Sequence, residues 1–254
     1  SLALGLALAI SAPAAAQSID DAQLRALVDQ RLAGDRTGAC LAVAVIGGDQ
    51  VARSFRCADR NAGGRIDADS AFEIGSISKT MTATLLADLI GQGRAALDDP
   101  LADYLPPGTM VPEFDGRPIL LRHLVNHTSG LPALPSRLTA AGVDPADPYA
   151  RLDEEQLLAS LGDVRLAAAP GSAFEYSNFA SMLLSYAVSR RVGGDMESLL
   201  RERLFAPLGM EGAYIARRPD GVRPAVGHSS NGKPVPAWNI AVDLAGVGGG
   251  RATL

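Results

Sequence analysis

The stretch Phe72-Glu73-Ile74-Gly75-Ser76-Ile77-Ser78-Lys79-Thr80 sets a hydroxyl and an amine one helical turn apart. After it, Ile77, Met81, Leu85, Leu86, Leu89 and Ile90 recur at helical spacing, which predicts a helix opening near Ser76. On such a helix Ser76 and Lys79 share one face. A serine hydroxyl is a weak nucleophile until a neighbour takes its proton, and a lysine can do so only where burial and nearby charge favour the neutral amine. The start of a buried helix suits both groups, because the helix dipole favours a developing anion.

Composition adds to this. The 23 basic residues are 21 Arg and 2 Lys, namely Lys79 and Lys233. Arginine cannot give up its proton in a protein, whereas lysine can act as a base, so the lysine at 79 has a chemical reason. Taken alone, Ser-x-x-Lys also fits a polar helix start with a solvated lysine.

At 254 residues, with 47% hydrophobic and 20% charged residues, the chain is of globular type and long enough for one large domain or two lobes. A net charge of -5 without a basic run argues against nucleic acid or an anionic membrane as the main partner. The opening Ser1-Leu2-Ala3-Leu4-Gly5-Leu6-Ala7-Leu8-Ala9-Ile10, followed by Pro13-Ala14-Ala15-Ala16-Gln17, reads as the remnant of a secretory signal cleaved after Ala16. It is too short and broken for a membrane span, and a buried helix is the alternative reading. Export to the periplasm or the medium is the expectation.

The two cysteines flank a hairpin. Leu41 to Ile46 reads as one strand and Val51 to Arg56 as its return, around Gly47-Gly48-Asp49-Gln50. With Gly48-Asp49 as the loop, positions whose numbers add to 97 pair, so Cys40 faces Cys57. The two form a non-hydrogen-bonded pair with Cα atoms about 4.5 Å apart, within reach of a disulfide. A disulfide in an oxidising compartment is expected, and two small buried hydrophobes are the alternative.

Ile19 to Leu32 carries Leu24, Leu27, Val28 and Leu32 between charges, an amphipathic helix. Asn61-Ala62-Gly63-Gly64 reads as a turn. Beyond Arg94 come short helices and Pro-rich connections: Asp98 to Pro107, Pro118 to Asn126 and Asp153 to Leu161. This predicts a mostly helical lobe, 94–240, inserted in a sheet-bearing one. Ser177 to Val192 and Met196 to Leu204 are two further helix patterns, the second ended by Pro207-Leu208-Gly209-Met210.

Gly171-Ser172-Ala173-Phe174-Glu175-Tyr176-Ser177-Asn178 leads into the first of these. A phenol and an amide two residues apart, just outside a helix, can both enter a cleft, although a core tyrosine and a capping Asn explain them as well. A lysinium beside Tyr176 would favour its phenolate. His123 and His127 stand four apart, but the pattern is not His-Glu-x-x-His and no third ligand is evident, so no metal is expected. Gly227-His228-Ser229-Ser230-Asn231-Gly232 misses the Gly-x-Ser-x-Gly spacing, and Gly246-Val247-Gly248-Gly249-Gly250 reads as a turn rather than a nucleotide loop. No cofactor is implied.

The order in which Phe72 to Thr80, His127-Thr128-Ser129-Gly130-Leu131-Pro132, Tyr176-Ser177-Asn178 and Leu204-Phe205-Ala206-Pro207-Leu208-Gly209-Met210 occur resembles the class C type β-lactamase and penicillin-binding serine hydrolase superfamily, from about Gly38 to the end. The resemblance implies an α/β (α+β) fold of β-lactamase/transpeptidase type, an antiparallel sheet flanked by helices beside the helical lobe, with 17–93 forming the first part of the sheet lobe. It implies Ser76 as nucleophile, Lys79 as its general base, Tyr176 as proton shuttle and Asn178 as a contact to the substrate amide. The Ser76 N–H would be half of an oxyanion hole. The family's third motif, Lys-Thr-Gly or a His-x-Gly variant, has no match: Lys233 stands in Asn231-Gly232-Lys233-Pro234. The expectation is a C-terminally truncated domain, inactive or poorly folded as a 254-residue chain.

These residues point to an exported hydrolase forming an acyl-enzyme on Ser76 from β-lactams or D-Ala-D-Ala type peptides. A carboxylesterase on the same scaffold and a non-catalytic peptidoglycan binder are the alternatives.

Overall fold

The computed structural model describes residues 19–58, 66–229 and 233–254, in two compact units, 19–58 and 66–254. The signal-like opening, the Asn61 to Gly64 turn and Ser230 to Gly232 lie outside the described residues.

In the first unit, helix α1 (Asp21–Leu32) lies on strands β1 (Cys40–Gly47) and β2 (Gln50–Cys57). The helix begins two residues later than the apolar pattern because Asp20 and Gln23 close a reciprocal capping box, each side chain accepting the other's backbone N–H. Leu24, Val28 and Leu32 recur one turn apart and are buried with Ala52 of β2. The hairpin turns at Gly48, which takes φ +57°, the left-handed first position that a two-residue loop of this kind needs. Its register is the expected one, Gly47 opposite Gln50 and Cys40 opposite Cys57, and the two sulfurs are bonded. A unit this small has little core, and closing the 17-residue separation contributes about 3 kcal/mol in the chain-entropy picture.

The second unit starts with β3 (Ser70–Glu73), which passes through a 3-10 turn (Gly75–Ile77) into α2 (Ser78–Gly91). The expected helix opening at Ser76 is thus a tighter turn. Gly75 at φ +53° swings the chain off the strand, and the regular helix starts two residues after the nucleophile candidate. Strand β3 sits between β4 (Arg223–Pro224), parallel to it, and β7 (Arg251–Ala252), antiparallel to it. A separate two-stranded piece joins β5 (Gly227–His228) and β6 (Pro234–Val235).

The remaining helices are α3 (Leu121–Val125), α4 (Glu154–Gly162), α5 (Asn178–Val192) and α6 (Met196–Leu200); α6 continues as a wide π-type turn, Arg201–Phe205, where the apolar pattern predicts a single helix to Leu204. Helix α5 is buried all round from Phe179 to Ser189, which marks it as the axis of the core rather than a surface helix. Its Ser181, Ser185 and Ser189 make a narrow face of small residues, and the 3-10 segment Val242–Val247 packs against the helix. Glu197 of α6, 1% exposed, accepts the N–H groups of Ile215, Ala216 and Arg217 and the Arg217 guanidinium, which fixes the return of the chain toward β4. No helix among the described residues is long and apolar enough to cross a membrane.

Candidate active site

The back of the nucleophile turn is a wall of glycines. Gly250 donates its N–H to Ser78 Oγ (3.1 Å) and accepts that of Ile74 (3.0 Å), so the two ends of the turn are tied to one residue. Gly246 donates to Ser185 Oγ of α5 (3.0 Å) and accepts from Thr82 Oγ1 of α2 (3.3 Å). A Cβ on Gly246 would stand 2.2 Å from Thr82 Oγ1 and 2.7 Å from Ser185 Oγ, so only glycine allows this approach. The next carbonyl, Val247, is thereby aimed at the lysine. Lys79 Nζ donates to it (2.6 Å) and to Ser76 Oγ (3.0 Å).

Tyr176 arrives from the other side, on the extended segment ahead of α5. The phenol donates to Ser76 Oγ (2.8 Å), and Lys79 Nζ lies 5.0 Å from the centre of its ring. The segment is held by His127. That residue takes a left-handed backbone (φ +58°), accepts Glu175 N–H at its carbonyl (2.8 Å) and Ser177 N–H at Nδ1 (3.2 Å), and stacks its ring 4.4 Å from that of Tyr176. With Nδ1 accepting, the neutral ring carries its proton on Nε2.

The electrostatics follow the contacts. Burial pushes the Tyr176 phenol up, but hydrogen bonds with Lys79 and Ser76 and the lysine charge outweigh it, and the net shift is below the ordinary tyrosine value. Burial, and then the Lys79 charge, lower His127, which keeps its Nδ1 free to accept.

Asn178 opens α5, its N–H donated to Ala133 O (2.9 Å). Nearby Tyr149 is 6% exposed; burial pushes its phenol up, and the Asn178 side chain opposes that shift. The structure therefore joins Ser76, Lys79 and Tyr176 directly, and places Asn178 two residues after Tyr176, at the first position of α5. His123, by contrast, accepts the Leu120 N–H at Nδ1 (3.1 Å) and so caps the start of α3. No cluster of three metal-ligating side chains exists among the described residues.

A family profile described as Beta-lactamase matches residues 24–254. The chain belongs to the β-lactamase family. This β-lactamase-family chain is 37% identical over 186 residues, 72% of its length and 47% of the relative's, to the D-alanyl-D-alanine-carboxypeptidase/endopeptidase AmpH of Escherichia coli strain K12. It is 30% identical over 207 residues to the esterase EstB of Burkholderia gladioli, covering 78% of this chain and 53% of that one. Among solved structures, a β-lactamase/D-alanine carboxypeptidase from Yersinia pestis superposes with a TM-score of 0.68 at 27% identity, over 92% of this chain and 66% of that one. The chain thus spans about half the length of these two curated relatives.

Two members of the site were not legible. Val247 contributes a carbonyl, which every residue has, and the glycine density around it reads equally well as a plain turn. Tyr149 lies in the Asp144-to-Arg151 connection, where one aromatic among prolines and aspartates carries no spacing signal. His127 was visible as part of a motif, but its left-handed backbone was not.

Proposed function

We propose that this chain is the acylating part of an exported serine hydrolase that cleaves β-lactam or D-Ala-D-Ala type amide bonds through an acyl-enzyme on Ser76. The observation that carries the reading is that one oxygen, Ser76 Oγ, is hydrogen-bonded to both Lys79 Nζ and the Tyr176 phenol. The pair shares one mobile proton, as neutral amine with phenol or as ammonium with phenolate. When Ser76 Oγ attacks the carbonyl carbon, its proton enters the pair, which becomes ammonium with phenol. Tyr176 then passes a proton to the leaving nitrogen, the C–N bond breaks, and the acyl group stays on Oγ. Water reverses the sequence. The Ser76 N–H, at the open start of its turn, would face the developing oxyanion, and Asn178 would hold the substrate amide.

A carboxylesterase on the same scaffold is the second reading, favoured by the similarity to EstB and by the same Ser76 chemistry, which serves an ester oxygen equally. A pure binder has no use for a lysine and a phenol converging on one hydroxyl. Export agrees with the Cys40–Cys57 bond, since disulfides persist in oxidising compartments.

The test is to incubate the complete gene product with a β-lactam and with an activated ester and weigh it. A persistent adduct on Ser76 is expected for a penicillin-binding peptidase, rapid β-lactam turnover for a lactamase, and turnover of the ester alone for an esterase. Absence of any adduct or turnover, or an adduct that survives Ser76→Ala, would overturn the proposal.

A further inference from the structure

Three contacts run from His127 to the segment that carries the phenol. Its carbonyl accepts Glu175 N–H (2.8 Å) and its ring Nδ1 accepts Ser177 N–H (3.2 Å), so the residues on either side of Tyr176 are both tethered. Between them the two rings stack, centres 4.4 Å apart and planes tilted by 36°. His127 and Asp115 are the two non-glycine residues with positive φ among the described residues. A side chain disfavours that backbone, which persists only where its surroundings hold it. The His127 ring also lines, with Lys79 of α2, a cavity of about 20 Å³ closed by Leu124 of α3, Ser181 and Leu184 of α5, and Gly246. The titratable or charged groups facing the ring are therefore Lys79 and Tyr176. The other cavity walls named are apolar or hydroxyl, and Phe174 meets the ring edge-on at 6.1 Å.

Nδ1 accepts only while the ring is neutral, because an imidazolium carries N–H on both nitrogens. A proton taken from solvent onto Nδ1 sets N–H against the Ser177 N–H and removes the tether that follows Tyr176. It also places a second cation beside Lys79, which opposes the ammonium formed when Ser76 gives up its proton.

We propose that His127 is a positioning residue for Tyr176: its neutral ring holds the phenol on Ser76, and uptake of a proton by the ring releases it. Acylation is then switched off in acid by a residue that does not itself touch Ser76. Burial and the Lys79 charge lower the His127 pKa, so the holding form prevails at and above the ordinary histidine value of 6.5 and the release falls below it. This inference rests on the acyl-enzyme reading of Ser76.

The test follows the rate of Ser76 acylation in the complete gene product, by a β-lactam and by an activated ester, from neutral to mildly acid pH. Beside it the His127 ring is titrated by NMR, its signal identified by its loss in His127→Asn. The acylation rate is expected to fall about tenfold or more, with its midpoint at the pH where the ring titrates. In His127→Asn an amide oxygen can replace Nδ1 as acceptor, on a residue that tolerates the left-handed backbone and does not titrate; there the fall should vanish. His127→Gly suits the same backbone but offers no acceptor, and should acylate on the order of tenfold more slowly at neutral pH. A rate that does not fall, a midpoint away from the ring's, a fall that persists in His127→Asn, or a His127→Gly as fast as the unmodified protein would overturn the inference. In each of those cases the Ser76 adduct leaves the acyl-enzyme reading standing. Absence of any Ser76 adduct in the unmodified protein would overturn both.

Discussion

The two helices that carry the candidate site start in opposite ways. Helix α5 is closed at its start: Ser177 Oγ accepts Ala180 N–H (2.9 Å) and donates to Pro132 O (2.7 Å), while Asn178 and Phe179 send their N–H groups to Ala133 O. Helix α2 has no side-chain cap, neither at Ile74 before its 3-10 turn nor at Ile77 before the regular helix. Its opening is held from behind, by Gly250 and by the Gly246–Val247 carbonyls; Ile77 and Ser78 N–H bond within the turn, and the Ser76 N–H is the donor left at the front. A capped start satisfies its own donors and contributes about 1 kcal/mol of stability; an uncapped one keeps such a donor, and the positive end of the helix dipole, for an incoming anion. One helix is built to stay, the other to react.

The comparison can be broken at several points. Lys79→Met is expected to do most, slowing acylation on the order of 10²–10⁴-fold. It should also raise the Tyr176 pKa, since two of the influences that lower it come from that lysine and burial alone pushes it up. Acylation rates and the phenolate absorbance lost in Tyr176→Phe give both readouts, and an unmoved tyrosine titration would separate the two residues. Gly246→Ala removes the support behind α2 by setting a methyl against Thr82 and Ser185. A loss of about 1–3 kcal/mol in urea unfolding is expected, along with weaker acylation as the Val247 carbonyl is displaced. Ser177→Ala opens the closed helix and should cost about 1 kcal/mol; a cost near zero would show that Ala133 suffices as the cap.

The smallest effect concerns pH. His123 and His127 both have pKa values lowered by burial in the folded chain. The unfolded chain therefore takes up protons first as pH falls below the ordinary histidine value of 6.5. The stability these two contribute is complete above that pH and is lost as pH falls through their folded values. His127→Gln should flatten that slope in thermal unfolding followed from neutral to mildly acid pH.

Local patterns carried most of the fold. The hairpin register, the disulfide partners and the α1 face follow from alternation, a two-residue loop and a 3.6-residue period, all short-range, and the structure agrees with them. The Ser76–Lys79 pairing was legible for the same reason, being one turn apart on a chain that otherwise avoids lysine. Tyr176 could be placed beside them only through the family resemblance, because 100 residues separate it from Ser76 and no local rule spans that distance. The tight turn at Ser76 escaped because Ile77 and Met81 fit a helix period equally well from either starting point. The glycines at 246 and 250 were visible but not what they lie against.

The lysine's carbonyl partner is 168 residues further along the chain. At a synthesis rate of roughly 5–20 residues per second, Lys79 leaves the ribosome on the order of ten to thirty seconds before Val247 does. Through that interval the serine and its amine exist without the backbone that aims them, so chemical competence is acquired only after the core helix has been made.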